Sequence, residues 1–291
     1  MTHYRFIKGV SCVILSFNEE MNISQAIETV KLVSDDIWVI DSGSTDATRE
    51  IAESLGVNVV KQPWLGFSRQ WNFALQDLPL KYDYVMLHAS DEQIPDKWAK
   101  EFRDVVDRDS PPDLIQTRFE FWWLGKAIRY GGYGKTWIVK AGKRSLMKYM
   151  EREVNEHIPL QGVVYQMKEK YIHRDRKEVG RWLEKHILYA RLEALERKKF
   201  LTSSSVMGKL FGAGQGLRTL WIRQNIYDRL PLFVKPAAYF TYRYFFRLGF
   251  LDGVSGTYFH FLHAFWYPMM IDLFSLDETS NGGQCASKNP K

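Results

Sequence analysis

The chain reads as an α/β protein on a doubly wound, mostly parallel sheet, and three observations lead there. Across the first hundred positions short apolar runs alternate with helical repeats of apolar residues, the signature of successive βαβ units. Beyond these runs stand four polar sets: Ser16-Asn18-Glu19, Asp41-Ser42-Ser44-Asp46, Arg69-Asn72 and Asp91-Glu92. In an open α/β sheet ligands sit beyond the carboxyl ends of the strands, so these four polar sets would share one functional edge.

Taken in order, strands are expected over 10–16, 37–40, 57–61 and 84–87, each a short apolar run. The first helix follows from Ile23, Ala26, Ile27, Val30 and Val33, whose spacing puts them on one face. A second helix is expected over 47–55, with Gly56 as its stop. Gly66-Phe67-Ser68-Arg69-Gln70-Trp71-Asn72 opens a third, with Phe73, Ala74 and Leu78 on its apolar side. After Pro111 the pattern changes. A longer strand is expected over 114–121, then a turn at Trp122-Trp123-Leu124-Gly125 and further strands over 137–140 and 163–167. Tyr130-Gly131-Gly132-Tyr133-Gly134 is too rich in glycine for a regular element and reads as a loop close to a ligand. A helix over 179–199 turns Leu183, Ile187, Ala190 and Ala194 to one side.

Beyond position 201 the composition shifts. Between 207 and 250 seven basic residues face a single acid, Asp228, and seventeen aromatics fall between 221 and 274. Residues 253–271 lack Asp, Glu, Lys and Arg but are barely long enough to span a bilayer. Interleaved cations and rings suit helices lying in the headgroup layer better than a span or a packed interface. The expected organisation is therefore a sheet domain over 1–200, split into a ligand-binding half (9–110) and a second half (111–200). A helical membrane-interface region (201–275) and a polar tail (276–291) follow.

The bulk properties narrow the classes further. A chain of 291 residues with 45% hydrophobic and 25% charged residues has an ordinary globular core. A net charge of +6 suggests an anionic partner. Carboxylates gathered at strand ends repel polyanions, which argues against nucleic acid. Cys12 and Cys285 offer no disulfide framework and fit a reducing compartment, and residues 1–8 lack a leader-like apolar run. The expected location is the cytoplasmic face of a membrane.

In their order, these motifs resemble the family-2 glycosyltransferases of GT-A fold, particularly bacterial enzymes that extend lipopolysaccharide cores and other surface glycans. The resemblance is carried by Ser-Phe-Asn-Glu-Glu from Ser16, Val-Ile-Asp-Ser-Gly-Ser-Thr-Asp from Val39, and Gly-Phe-Ser-Arg-Gln-Trp-Asn-Phe-Ala from Gly66. It continues through Ala-Ser-Asp-Glu from Ala89, Arg-Tyr-Gly-Gly-Tyr from Arg129, Val-Asn-Glu-His from Val154 and Gly-Phe-Leu-Asp-Gly from Gly249. It implies a nucleotide-sugar donor, usually a UDP-sugar, and transfer with inversion at the anomeric carbon. It further implies a Mg²⁺ or Mn²⁺ ion on Asp91, with His173 near the ion or the diphosphate. Donor contacts would come from Ser16, Asn18, Glu19, Asp41, Ser42, Arg69, Asn72, Ala89 and Ser90. Glu156 matches the family's acidic position on the acceptor side and would be the general base, with Glu92 the next candidate. Gly131 and Gly132 would let the backbone approach the sugar.

One departure stands out. The family's metal motif commonly reads Asp-x-Asp-Glu, and here Ala89 replaces the first Asp. Metal use would then be kept through Asp91 with an altered donor contact, and the neighbouring His88 is expected to be structural. A sugar-nucleotide pyrophosphorylase would open with a glycine-rich, Arg-containing loop, which Ser-Phe-Asn-Glu-Glu is not. The remaining competitor is a non-catalytic or nucleotide-binding membrane-docking protein of the same fold. It accounts for the C-terminal third but not for the carboxylates along one rim.

Overall fold

In a computed structural model the chain is described over residues 9–150, 158–202, 231 and 234–280, with side chains for all of these but 196–202 and 278–280. Two compact units are present. The first comprises most of 9–177 and carries the sheet; the second comprises 128–132, 158–159 and the described residues from 178 onward. The helix expected over 179–199 therefore groups with the C-terminal region rather than with the sheet.

The first unit follows the expected alternation. β1 (Ser11–Ser16), β2 (Asp36–Asp41), β3 (Asn58–Lys61) and β4 (Tyr84–Ala89) lie parallel in the order β3-β2-β1-β4. They are linked by α1 (Ile23–Val30), α2 (Thr48–Ser54) and α3 (Phe67–Asp77). α1 presents Ile23, Ala26, Ile27 and Val30 to the core, all fully buried, as their spacing requires. A short β5 (Glu92–Gln93) and α4 (Asp96–Val106) follow. α4 was not among the expected elements, although Trp98, Phe102, Val105 and Val106 form its buried face. Trp98 stacks on Phe102 and donates its indole N–H to Thr117 Oγ1 at 2.9 Å.

The second half makes the sheet mixed. β6 (Leu114–Trp123) turns through Leu124 and Gly125, both with positive φ, into β7 (Lys126–Ile128), which pairs back on β6. β8 (Ile138–Lys143) inserts antiparallel between β4 and β6, and β9 (Val164–His173) runs parallel to β6 and antiparallel to β5. The order is β3-β2-β1-β4-β8-β6-β9-β5. β9 runs six residues beyond its expected end, because Arg118 to Phe121 of β6 pair with Lys170 to His173, and Glu92 and Gln93 pair with its last two residues from the other side.

In the second unit α5 (Val179–Thr202) packs against α8 (Tyr267–Ser280). Ala190, Ala194 and Ile271 are buried together, with Tyr267, Met270 and Phe274 alongside, and this pairing is why α5 belongs here. α6 (Val234–Thr241), a π-helical turn (Tyr242–Phe246), a 3₁₀ turn (Gly249–Asp252), α7 (Gly253–His260) and a second π-helical stretch (Phe261–Trp266) lie between. Among the described residues no helix is long and apolar enough to cross a membrane. Phe245, Phe246, Leu248, Phe250, Leu251, Val254, Tyr258 and Phe261 are all exposed.

The glycine-rich loop has a different neighbour from the one expected. Asp252 accepts the backbone N–H groups of Arg129 (3.0 Å) and Tyr130 (3.1 Å), and Gly131 N–H donates to Arg247 C=O at 2.9 Å. Gly131 holds φ +71°, and a Cβ there would fall 2.1 Å from the His260 ring; one at Gly132 would fall 2.9 Å from the Arg247 guanidinium. The close approach that needs glycine is thus to His260 and Arg247 rather than to a sugar. Gly131→Ala should destabilise the protein by about 1–3 kcal/mol through overpacking and positive-φ strain. Urea midpoints measure this, and a wild-type midpoint would mean that the His260 ring is not fixed against the loop.

Candidate active site at the carboxyl ends of β1, β2 and β4

Register places the predicted residues on one edge. Ser16 lies opposite Asp41 across β1 and β2, and Leu15 lies opposite Ala89 across β1 and β4. The turns leaving all three strands therefore emerge side by side.

The first two turns are tied to each other. Asp41, fully buried, accepts the N–H groups of Gly43 and Ser44, each at 3.0 Å, and the Ser44 hydroxyl. This is the hydrogen bonding of an Asx turn. Asn18, at φ +50°, accepts Thr45 N–H at 2.8 Å, while its own N–H donates to Ser44 Oγ at 2.8 Å. Ser42 N–H donates to Ser16 C=O at 3.0 Å, and Ser16 Oγ bonds Ile40 C=O at 3.4 Å. Glu19 is held by Lys177 Nζ at 2.6 Å and Asn22 Nδ2 at 2.8 Å. The described polar groups of Ser16, Asn18, Glu19, Asp41 and Ser42 are thus committed within and between the two turns and to Asn22 and Lys177.

The third turn is held from beneath. Ser90 Oγ donates to Leu15 C=O at 2.7 Å, and Ala89 N–H donates to Glu92 Oε2 at 2.8 Å. Both Glu92 oxygens lie 2.6 Å from Lys140 Nζ, and both side chains are almost fully buried. A carboxylate committed in this way anchors its turn, and the geometry does not favour Glu92 as a general base. His88 is fully buried, accepts the Tyr171 hydroxyl at Nδ1 and donates from Nε2 to Glu92 C=O at 3.1 Å. Burial, and then the charge of Lys140, push its pKa down to about 3, so it is a neutral structural imidazole.

Asp91 and His173 meet at the mouth. Asp91 Oδ2 lies 3.6 Å from His173 Nε2, and Asp91 C=O accepts Arg174 N–H at 2.8 Å. The His173 ring stacks on Phe121 with centroids 4.9 Å apart. A carboxylate and an imidazole at this separation suit two adjacent positions on Mn²⁺ or Mg²⁺, whose remaining positions phosphate and water can fill. Among the described residues there is no cluster of three or more His, Cys, Asp or Glu able to hold a metal, so a bound cation would depend on its substrate for ligands.

One expected donor contact lies elsewhere. Asn72 pairs through Nδ2 and Oδ1 with the Tyr149 backbone at 3.0 and 2.9 Å, so its amide pins a loop to α3 and is unavailable to a nucleotide. Arg69 is exposed on the same helix. Glu156 lies outside the described residues. The sequence reading missed Gln70, fully buried and bonded to Ser42 Oγ, Gln62 C=O and Leu65 N–H, and it missed Lys140. A lone lysine inside Ile138-Val139-Lys140-Ala141 was the available signal for the second.

His88 gives a pH prediction. Its pKa in the folded protein lies below the usual 6.5, so below that pH the unfolded chain binds the proton and the native state loses stability. Wild type should exceed His88→Gln in stability at pH 7, and the gap should close by about 1.4 kcal/mol per pH unit as pH falls below 6.5. Urea midpoints at pH 7, 6 and 5 test this, and a constant gap would mean that His88 is solvated.

Comparison with known proteins bears on the family. The model of the family described as Glycosyl transferase family 2 matches residues 11–159, just over half of the chain. An uncharacterized glycosyltransferase of Rickettsia bellii is 40% identical over 100 residues, covering 34% of this chain and 32% of that protein. The lipopolysaccharide core biosynthesis glycosyltransferase LpsC of Rhizobium meliloti is 27% identical over 134 residues, covering 44% and 45%. The matches thus span a third to under half of the length of these relatives. Among solved structures, TarS 1–349 of S. aureus aligns over 94% of this chain and 92% of its own at 15% identity, with a TM-score of 0.42. Glucosyl-3-phosphoglycerate synthase of Mycobacterium tuberculosis, in complex with Mn²⁺, UDP and glucosyl-3-phosphoglycerate, aligns over 65% and 78% at 17% identity, with a TM-score of 0.41. With its strand-end motifs inside the matched segment, the chain belongs to glycosyl transferase family 2.

Proposed function

We propose that the protein transfers a sugar, with inversion, from a UDP-sugar to a lipid-linked or lipopolysaccharide-type glycan. The observation that carries this is Asp91 and His173 brought together at the strand edge where the rim of Asp41 and Asn18 ends. A divalent cation bound there would supply positive charge to the departing diphosphate.

The remaining work falls to the chain's own residues. The Asx turn at Asp41 and the bonded Asn18 shape the nucleotide side. Arg69, exposed on α3, offers charge to phosphate. Glu156, assigned by resemblance, would take the acceptor hydroxyl's proton. The acceptor oxygen then bonds to the anomeric carbon as the diphosphate leaves the opposite face. A base of this kind contributes roughly 10²–10⁴-fold.

The lipid nature of the acceptor is supported by the second unit. Its exposed rings and aliphatic side chains between 242 and 261 adjoin Lys235, Arg243 and Arg247, and the nearby acid, Asp252, is turned inward onto backbone N–H groups. Such a surface suits the headgroup layer of an anionic membrane, which we assign as the cytoplasmic face of the bacterial inner membrane. The relative named for lipopolysaccharide core biosynthesis points the same way.

Calorimetric titration should show UDP binding that needs Mn²⁺ and is lost in Asp91→Ala; metal-independent binding that survives in that variant would refute the donor site. Glu156→Gln should lower turnover at least 10²-fold with UDP affinity unchanged, and near-normal turnover would remove Glu156 from the role. Phe246→Ser/Val254→Ser should cut sedimentation with phosphatidylglycerol vesicles about tenfold or more, since each side chain buries roughly 1.5–3 kcal/mol of apolar surface. Equal sedimentation would refute the docking surface.

A further inference from the structure

The most heavily built part of the first unit outside the metal pair is the layer beneath it, and one feature of the sheet explains how it forms. Between β6 and β8, Ile115 pairs with Ala141 and Gln116 pairs with Val139, so Lys140 is an extra residue on β8 without a partner in the ladder. A β-bulge of this kind bends its strand and re-aims a side chain. Val139, Lys140 and Ala141 are all buried, as befits a central strand, so the lysine is enclosed on whichever face the bulge turns it to. The ammonium lies between the rings of Phe119 and Tyr171, 5.3 and 5.4 Å from their centroids, and reaches both oxygens of Glu92.

The connections run from that ammonium to the mouth of the site in few steps. Glu92 Oε2 accepts Ala89 N–H, Glu92 C=O accepts His88 Nε2–H, and Glu92 pairs with His173 across β5 and β9. Lys140 therefore grips the residue that fixes both flanks of Asp91 and the strand position of His173. Burying a lysine and a glutamate is costly, and removing either partner alone leaves an uncompensated charge. A hydrophobic pair would serve stability as well, so stability alone does not account for the pair.

We infer that Lys140 is a positioning residue for the cation–diphosphate site, aimed by the β8 bulge so that, through Glu92, it holds Asp91 and His173 at one separation. It acts on the ion only through the turn, and it matters more here because Ala89 removes one carboxylate that the family's motif commonly supplies at this turn. The inference rests on the metal-binding reading proposed above.

The test measures Mn²⁺ uptake in the presence of UDP by electron paramagnetic resonance of the free ion, alongside thermal unfolding without metal. Because Lys140→Met alone leaves Glu92 unpaired and endangers folding, the main variant is Lys140→Met/Glu92→Gln, which removes both charges together. The near-isosteric Glu92→Gln, which leaves Lys140 unpaired, is the second and is scored on its folded fraction. The double variant should stay near the wild-type Tm, and both should need at least tenfold more Mn²⁺ for half-saturation. Wild-type Mn²⁺ affinity in the folded variants would overturn the positioning role and leave the metal reading intact. Loss of affinity only in proportion to lost folded protein would overturn it equally. Absence of UDP-dependent Mn²⁺ uptake by the wild-type protein would instead overturn the metal reading, and this inference with it.

Discussion

The register of β1 against its two parallel neighbours is the constraint on which the rest of the site depends. With Ser16 opposite Asp41 and Leu15 opposite Ala89, three strands end within one residue of one another and their turns have nowhere to go but together. A slip of one residue would exchange the side chains on the two faces of β1, and both faces are closely packed, Cys12, Val13 and Ile14 all being fully buried. Apolar packing in the middle of the sheet thus fixes polar geometry at its edge.

At that edge hydrogen bonds fix the rim, and a carboxylate–imidazole pair stands beside it. Asp41 and Asn18 spend described groups on Gly43, Ser44 and Thr45, Ser42 bonds Ser16, and Glu92 spends its carboxylate on Lys140 and Ala89. Asp91 and His173 face each other at the mouth instead. A hard cation suits that pair because diphosphate oxygens can complete its shell. The same logic separates the two histidines of the region: His88 is kept neutral by burial, while His173 stacks on Phe121 and reaches toward Asp91.

Much of this was legible in the sequence, and the parts that were not have a common cause. The four parallel strands, the acidic turn at Asp91 and the loop at Asp41 followed from apolar runs ending in polar residues. Asn72 was misread because nothing local tells an amide facing a ligand from one pairing with the Tyr149 backbone 77 residues away. Gly131 and Gly132 correctly signalled a close approach, but its object, His260, lies far along the chain. Lys140 was overlooked because its role is created by a bulge, and bulges depend on the partner strand. Local pattern reveals elements, whereas long-range pairing decides which polar groups remain for chemistry.

The measurement that bears most directly on the account is anomalous diffraction from crystals grown with Mn²⁺ and UDP. A manganese peak bonded to Asp91 Oδ2 and His173 Nε2, with diphosphate oxygens completing its shell, is the predicted result. A peak away from these two side chains, or UDP bound in their vicinity with no metal between, would contradict it.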